Sequence, residues 1–258
     1  MDNTIDAEPP SYSATHPHCF LPGTDTPLVL LHGSGGNECD LLPLAAELAP
    51  NAAKFGIRGP VAIDGGYAFF HRFPDRRVDE ADIEAKAPVL AAFIEASRAR
   101  YDFGKPPIAV GFSNGAIMAA ALLLTRPGLL AGAILFRPLI PFTHDLGHRL
   151  DNTPVLIVDG EKDSRRSPGD GLRLAERLTR VGASVSYHVL PVGHAITAED
   201  KKIARAWLEA VARPKADRHG LRGAPTGAVL LAAFQACPHP EVDFDTESVR
   251  SPVRDVAL

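Results

Sequence analysis

The stretch "IAVGFSNGAIMAA", residues 108–120, passes from an apolar run to a helical pattern across a single serine. Its centre, residues 111–115, has the form G-x-S-x-G, in which the two glycines leave room for a tight strand-to-helix turn. Such a turn strains the backbone, lifts the serine hydroxyl clear of the sheet and places it at a helix N-terminus, where negative charge is favoured. The pattern therefore predicts that Ser113 is a nucleophile. The alternative is an ordinary glycine-flanked serine in a strand-to-helix turn.

Around this stretch, short β-like runs alternate with helical patterns, which is typical of a parallel sheet with crossover helices. All-apolar runs such as "PLVLLHG" indicate strands that are buried on both faces. We therefore predict an α/β fold with a mostly parallel central sheet flanked by helices. The predicted strands are 27–33, 60–64, 107–112, 130–136, 154–160 and 184–190, and the predicted helices are 41–50, 79–100, 114–126, 168–182 and 198–213.

The chain divides into three parts by composition. Residues 1–26 are interpreted as an N-terminal segment, and residues 27–213 as one α/β catalytic domain. Residues 214–258 are rich in glycine and proline, with one short apolar stretch, which predicts a loosely ordered C-terminal extension.

Composition and charge exclude several classes of protein. The 258 residues carry a net charge of −4, which provides no basic surface for nucleic acid or anionic membranes. No apolar run is long enough to cross a bilayer, and the polar N-terminus is unlike a signal peptide. Cys19, Cys39 and Cys237 are widely spaced and match no zinc pattern, so we expect free thiols in a reducing compartment. The predicted location is the cytoplasm.

A serine hydroxyl becomes a nucleophile when a base accepts its proton and a third group orients that base. In chains with this kind of turn, an acid and then a histidine follow later in the sequence. Asp163 follows the strand 154–160 and His194 follows the last strand, so both belong at the carboxyl edge of the sheet, where ligands gather. We favour Asp163 over Asp159, which still belongs to the strand. We favour His194 over histidines that lie inside a strand, before the acid or near the chain ends.

Two backbone N–H groups are predicted to bind the oxyanion of a tetrahedral intermediate. One belongs to Asn114, which follows the nucleophile, and the other to Ser34, in the glycine-rich segment "HGSGGN". A phosphate-binding loop is the weaker alternative, because neither of the usual glycine motifs for phosphate is present. His32, in the same segment, is interpreted as a structural hydrogen-bonding residue.

These segments together resemble an α/β-hydrolase of the phospholipase/carboxylesterase (dienelactone-hydrolase-like) family. The resemblance lies in "LVLLHGSGGNECDLLPLA", "GFSNGA", "DGEKDSRRSP" and "GHAIT", and it covers about residues 17–212. The segments "RGPV", "FFHRFPDRRVDEADI" and "LFRPLIPF" are similar to a bacterial subgroup of small carboxylesterases, some of them linked to hydroquinone or catechol metabolism.

The resemblance implies a site that agrees with the residue-level interpretation. It assigns Ser113 as nucleophile, Asp163 as orienting acid, His194 as base, and Ser34 and Asn114 as oxyanion donors. Dienelactone hydrolases proper carry a cysteine at the nucleophile position, so a serine there argues for ordinary ester hydrolysis.

The predicted function is that of a serine carboxylesterase acting on small short-chain or aromatic esters through an acyl-enzyme. We expect no metal or cofactor, no nucleic-acid partner, no membrane insertion, and a monomer or homodimer. A thioesterase or acyltransferase with the same triad is the main alternative. A non-catalytic binding protein is disfavoured, because every catalytic position is filled.

The substrate pocket is less defined by the sequence than the triad. Residues 137–153 are too few for a large helical lid, so the site is expected to be open. Arg72 and Arg137 are candidates either to bind a negatively charged substrate group or to pair with surface acids. The apolar candidates for a pocket wall, each of which core packing would also explain, are Phe69, Phe70, Phe112, Leu139, Ile140 and Phe142.

Overall fold

The computed structural model describes residues 16–75 and 77–212. The chain divides into two units, Met1–Arg213 and Pro214–Leu258, and the predicted extension lies outside the described residues. In the described part, the elements follow in the order β1 (His18–Leu21), β2 (Asp25–Leu31), α1 (Leu42–Leu48), β3 (Ala52–Ile57), β4 (Val61–Ile63), β5 (Gly66–Ala68), α2 (Glu80–Arg100), β6 (Ile108–Phe112), α3 (Asn114–Thr125), β7 (Gly132–Phe136), β8 (Pro154–Gly160), α4 (Asp170–Arg180), β9 (Ser184–Leu190) and α5 (Ala198–Ala212).

Seven of these strands form one sheet in the order β1-β3-β2-β6-β7-β8-β9. β1 runs antiparallel to β3, and every other neighbouring pair in this sheet is parallel. β4 and β5 form a separate antiparallel pair. The predicted fold class, a mostly parallel central sheet flanked by helices, is confirmed.

Both faces of the sheet are covered, which explains the unbroken apolar runs in its strands. Successive side chains of a strand point to opposite faces. Leu28 and Leu30 of β2 pack in the cluster that contains residues of α1 and α5. Val29 and Leu31 pack in the second cluster, with residues of α2, α3 and α4. Each face of a single strand therefore contributes to a different half of the core.

α3 lies deepest among the helices that cover the sheet. Every residue from 114 to 124 is buried, and small side chains recur along it, so the helix can approach β6 and β7 closely. Because α3 begins directly after β6, this packing fixes the turn that contains Ser113. The position of that serine is therefore set by the most deeply buried strand–helix unit of the fold.

Strands of both sheets differ from the prediction. β3 was missed, because Lys54 and Gly56 interrupt its apolar pattern, although all six of its residues are buried. Lys54 is accommodated because its ammonium donates to the carbonyls of Pro50 and Ala52. The predicted strand 60–64 is present only as β4 in the small sheet. β1 lies within residues 1–26, so the sheet begins upstream of residue 27.

The loop after β7 and the helices agree with the remaining expectations for the described residues. No helix forms in residues 137–153, as the absence of a large lid requires. Asp79 caps the N-terminus of α2, because its carboxylate accepts a hydrogen bond from the amide of Asp82, and the helix continues through Pro88. Within residues 16–75 and 77–212, no helix combines the length and apolarity needed to span a membrane.

Candidate functional site

Ser113 lies in a strained turn between β6 and α3. Its backbone angles are φ 51° and ψ −107°, a region that residues other than glycine rarely adopt. The flanking glycines are required by close packing. A Cβ on Gly111 would lie 2.7 Å from the Cα of Ala116, and one on Gly115 would lie 2.0 Å from the carbonyl oxygen of Leu31. The G-x-S-x-G pattern is therefore a consequence of how tightly α3 packs against the sheet.

The loops after β8 and β9 bring two further side chains to this turn. His194 Nε2 lies 3.0 Å from Ser113 Oγ, and His194 Nδ1 lies 2.7 Å from Asp163 Oδ2. The Asp163 side chain is fully buried, whereas 15% of the His194 side chain is exposed. Asp159, the alternative acid, instead accepts a hydrogen bond from the hydroxyl of Tyr187 in β9. The structure thus places Asp163, and not Asp159, against the histidine.

The electrostatics of these groups favour an ionised acid and a neutral base. Burial raises the pKa of Asp163, but hydrogen bonds from His194 and from the amide of Arg165 outweigh it, and the net pKa is lowered. Burial is the main cause that lowers the pKa of His194, assisted by the charges of Arg166 and Arg165 and opposed by Asp163. A neutral imidazole that donates from Nδ1 to Asp163 leaves Nε2 free to accept the serine proton.

Arg166 is a site residue that the sequence did not reveal. Its Nη2 lies 3.1 Å from Ser113 Oγ, and its Nε donates to the carbonyl oxygen of Arg137 at 2.8 Å. Since the guanidinium can only donate, Ser113 Oγ accepts from it, and the serine hydroxyl is left to donate to His194. Burial, followed by repulsion from Arg72, lowers the pKa of Arg166 to about 10, so it is charged near neutral pH. The one signal in the sequence was its position, three residues after Asp163.

Arg137 stabilises the histidine loop, which is the segment after β9 that contains His194. Its side chain is fully buried and forms a bidentate ion pair with Asp200, with Nη1–Oδ1 at 2.7 Å and Nη2–Oδ2 at 3.0 Å. It also donates to the carbonyl oxygens of Gly193, at 3.1 Å, and Ala195, at 3.0 Å. These two residues flank His194. A fifth bond, to β8, completes the use of all five guanidinium N–H groups.

The expectation that Arg137 binds a substrate anion or pairs with surface acids is wrong. The side chain has no exposed surface, and its charge is matched by Asp200. Asp200 in turn accepts from the amide of Thr197 at 2.8 Å, at the start of α5. The ion pair therefore joins the end of β7, the histidine loop and the last helix.

The two predicted oxyanion donors belong to the N-terminus of α3 and to the loop after β2. Asn114 is the first residue of α3, so its amide has no partner within the helix, and its side chain bonds the backbone of Phe69 and Phe70. Ser34 is exposed in the loop after β2. His32 supports that loop, because its Nδ1 lies 2.7 Å from the carbonyl oxygen of Gly33 and its Nε2 accepts from the amide of Gly59. These bonds fit its predicted structural role.

A cavity of about 720 Å³ opens beside His194. Its wall combines apolar and polar side chains, among them Ser34, Leu41, Leu44, Phe112, Arg165 and His194. Of the apolar pocket candidates from the sequence, Phe112 lines this cavity. Phe69, Phe70 and Phe142 are buried in the core instead. Leu139 and Ile140 pack against the same core cluster.

Comparison with known proteins gives matches that cover this part of the chain. Residues 23–212 match the model of the phospholipase/carboxylesterase family. The chain is 36% identical over 194 residues to MhqD of Bacillus subtilis (strain 168), provisionally described as a hydrolase; the match covers 74% of this chain and 97% of MhqD. A Bacillus cereus carboxylesterase structure has a TM-score of 0.74 and 33% identity, covering 77% of this chain and 95% of its own. A Mesorhizobium loti carboxylesterase has a TM-score of 0.72 and 32% identity, covering 76% and 95%.

Proposed function

The chain belongs to the phospholipase/carboxylesterase family of α/β-hydrolases, and we propose that it is a serine carboxylesterase acting on small esters with short acyl or aromatic groups. One arrangement carries this proposal. Ser113 Oγ lies 3.0 Å from His194 Nε2, and His194 Nδ1 lies 2.7 Å from Asp163 Oδ2. A nucleophile, a base and a group that orients the base are the requirements of covalent acyl transfer.

In the first half-reaction, Ser113 Oγ attacks the ester carbonyl carbon while His194 Nε2 takes the hydroxyl proton. The buried carboxylate of Asp163 stabilises the imidazolium that results. The new oxyanion accepts hydrogen bonds from the amides of Ser34 and Asn114. These donors are backbone amides, one at the start of α3 and one in the loop that His32 supports.

The first half-reaction ends when the bond between the carbonyl carbon and the leaving oxygen breaks and the alcohol departs with the proton from His194. In the second half-reaction, water attacks the acyl group on Ser113, with His194 as base again. The carboxylic acid leaves and the serine hydroxyl is restored. The sequence of steps uses only groups of this chain and water.

Substrates of modest size are supported by the shape of the site. The cavity beside His194 measures about 720 Å³, within the range of roughly 300–1,000 Å³ that small-molecule pockets occupy. Leu41, Leu44 and Phe112 give it an apolar wall for a short acyl or aryl group. The loop between β7 and β8 has no helix to cover it.

We expect the purified protein to hydrolyse p-nitrophenyl acetate and butyrate with a higher kcat/KM than p-nitrophenyl palmitate, because the apolar wall of Leu41, Leu44 and Phe112 is bordered by the polar Asp40 and Arg165, which a long acyl chain would also cover. Turnover of a butyryl thioester, measured in parallel, distinguishes the thioesterase alternative. A fluorophosphonate should inactivate the enzyme and label Ser113. If a butyryl thioester is turned over much faster than the ester, the substrate class is thioesters and not esters. If neither activity nor labelling of Ser113 is found, the proposal is overturned.

The pH dependence of ester hydrolysis should follow the titration of His194. The base acts in its neutral form, so kcat/KM falls as the pH drops through the His194 pKa. Since that pKa is lowered from 6.5, the midpoint of the acid limb should lie below pH 6.5. Arg166→Gln removes a positive charge that lowers this pKa, so the midpoint should move to higher pH.

Arg173→Gln is the matched control for this shift. Arg173 lies in α4, is exposed and pairs with Asp170, so its removal changes the net charge equally without acting on His194. Comparing pH–kcat/KM profiles of the wild type and both variants measures the effect. An equal shift in the two variants, or a downward shift in Arg166→Gln, would contradict the assigned interaction.

A further inference from the structure

Cys19, in the edge strand β1, meets Cys39, in the loop after β2, and neither cysteine is among the residues that line the cavity beside His194. Their Sγ atoms lie 2.7 Å apart, and both are free thiols. A covalent S–S bond is about 2.05 Å long, so a displacement of about 0.65 Å separates this contact from a bond. Nothing in the spacing of the cysteines along the sequence indicated this pairing.

We propose that Cys19 and Cys39 form a reversible disulfide, a redox modification site that fastens the loop carrying Ser34 to the edge of the sheet. The bond closes a loop of 20 residues that contains β2 and the whole glycine-rich segment. Cys39 directly precedes Asp40 and Leu41, which line the cavity. The crosslink thus restrains the part of the cavity wall that follows Cys39 without involving Ser113, His194 or Asp163.

The backbone around both cysteines is held firmly, so the thiols meet because of the fold. Cys19 pairs with Gly56 across the β1–β3 ladder. The carbonyl oxygen of Glu38 packs against Gly56, since a Cβ added to that glycine would lie 1.9 Å from the oxygen. Cys39 donates its amide proton to Asn37 Oδ1 at 2.8 Å. The two sulfur atoms are therefore brought together by a strand pairing and a fixed turn.

A metal site is the competing interpretation, since ligand atoms of Cys19, Glu38 and Cys39 lie within 4.8 Å of one another. Glu38, however, uses both carboxylate oxygens in a bidentate pair with Arg58, at 2.5 Å each. This pairing also lowers the pKa of Glu38. Two sulfur ligands remain, whereas structural zinc sites use four protein ligands. The composition of the cluster favours a disulfide.

The order of the chemistry follows from exposure. Cys39 is exposed and Cys19 is half-buried, so an oxidant reaches Cys39 first. Burial, followed by the hydrogen bond to Cys39, raises the pKa of Cys19 to about 11, so the Cys19 thiol is protonated near neutral pH. Cys39 is thus the sulfur oxidised first, and Cys19 is the one that resolves it.

With hydrogen peroxide as oxidant, two steps balance the reaction. The Cys39 thiolate attacks a peroxide oxygen, the O–O bond breaks, and protonation releases one water and leaves a sulfenic acid. Cys19 Sγ then attacks the Cys39 sulfur, and the departing hydroxide leaves with the Cys19 proton as a second water. Two thiols lose two electrons to one peroxide, and a dithiol reductant reverses the change.

The test uses the full-length protein, reduced, freed of reductant and treated with stoichiometric hydrogen peroxide. We expect the free thiols to fall from three to one, with a peptide containing Cys19 linked to one containing Cys39 in non-reducing digests. Closing a 20-residue loop should raise Tm by about 5–10 °C, reversibly with dithiothreitol. These readouts do not depend on ester hydrolysis, so the result stands or fails independently of the proposed function.

Cys39→Ser and Cys237→Ser form a matched pair of variants. Cys237→Ser should keep the crosslink and the rise in Tm, whereas Cys39→Ser should lose both. Four results would overturn the proposal: a link that includes Cys237, a disulfide between two chains, sulfinic acid on Cys39 without a link, or stoichiometric Zn²⁺ binding that protects both thiols. Cys19→Ser is the second variant if Cys39→Ser folds poorly, and it should also lose the crosslink.

Discussion

Ser113→Ala should lower kcat/KM for p-nitrophenyl butyrate by about 10³-fold or more, with little change in stability. The substitution removes the oxygen that lies 3.0 Å from His194 Nε2 but leaves β6, the turn and α3 in place. His194→Ala should cost a similar factor. Residues that act as one unit are not additive, so the double variant should be no slower than either single one.

The controls for this prediction are a folding measurement and a neighbouring serine. Circular dichroism and thermal melts should superimpose for wild type and Ser113→Ala. Ser167→Ala changes an exposed serine in the same acid loop that holds Asp163, and it should retain activity. Fluorophosphonate labelling that survives in Ser113→Ala would identify a different nucleophile. Full activity of Asp163→Ala would show that another acid orients His194.

Arg137→Met should both destabilise the protein and slow ester hydrolysis. It leaves Asp200 buried without its ion-pair partner, a loss that costs about 3–5 kcal/mol in the free energy of unfolding. It also removes the donors to the carbonyl oxygens of Gly193 and Ala195, so the His194 loop is no longer held in place. A misplacement of about 1 Å at a reacting group can cost about 10²-fold in rate.

A double variant separates these two effects. Arg137→Met/Asp200→Asn removes both buried charges, so its thermal stability should recover part of the loss. Its kcat should stay low, because the carbonyls beside His194 still lack their donors. Stability is measured by urea unfolding, and activity is measured as kcat at a temperature where every variant is folded. Recovery of the wild-type kcat in the double variant would show that Arg137 is structural only, and not a positioning residue.

The sequence predicted what depends on local pattern. The turn at Ser113 has its own glycine signature, Asp163 follows a strand with a clear apolar run, and His194 follows the β-like run "SVSYHVL". The unbroken apolar strands also predicted a sheet covered on both faces. Each of these features can be derived from residues that are neighbours in the chain.

The rest depends on contacts between distant residues. Nothing near Arg137 in the sequence indicates that its partner is Asp200, 63 positions away. Arg166 belongs to a loop that looks polar and solvated, and only the fold brings it to Ser113. β3 was not predicted because a lysine interrupts its apolar pattern. The ammonium of Lys54 is buried by donating to two backbone carbonyls, and a hydrophobic pattern does not indicate such contacts.

The position of β9 in the sheet affects how the site can fail. Among the described strands, β9 pairs only with β8, and its residues are the least buried of the parallel strands. The histidine follows this outermost strand, whereas the serine is anchored at the centre of the sheet. Local unfolding of β9 would move His194 away while Ser113 stayed in place, so the protein would lose activity before it unfolds globally. The ion pair between Arg137 and Asp200, which holds the loop of His194, would then determine how long the enzyme stays active at high temperature.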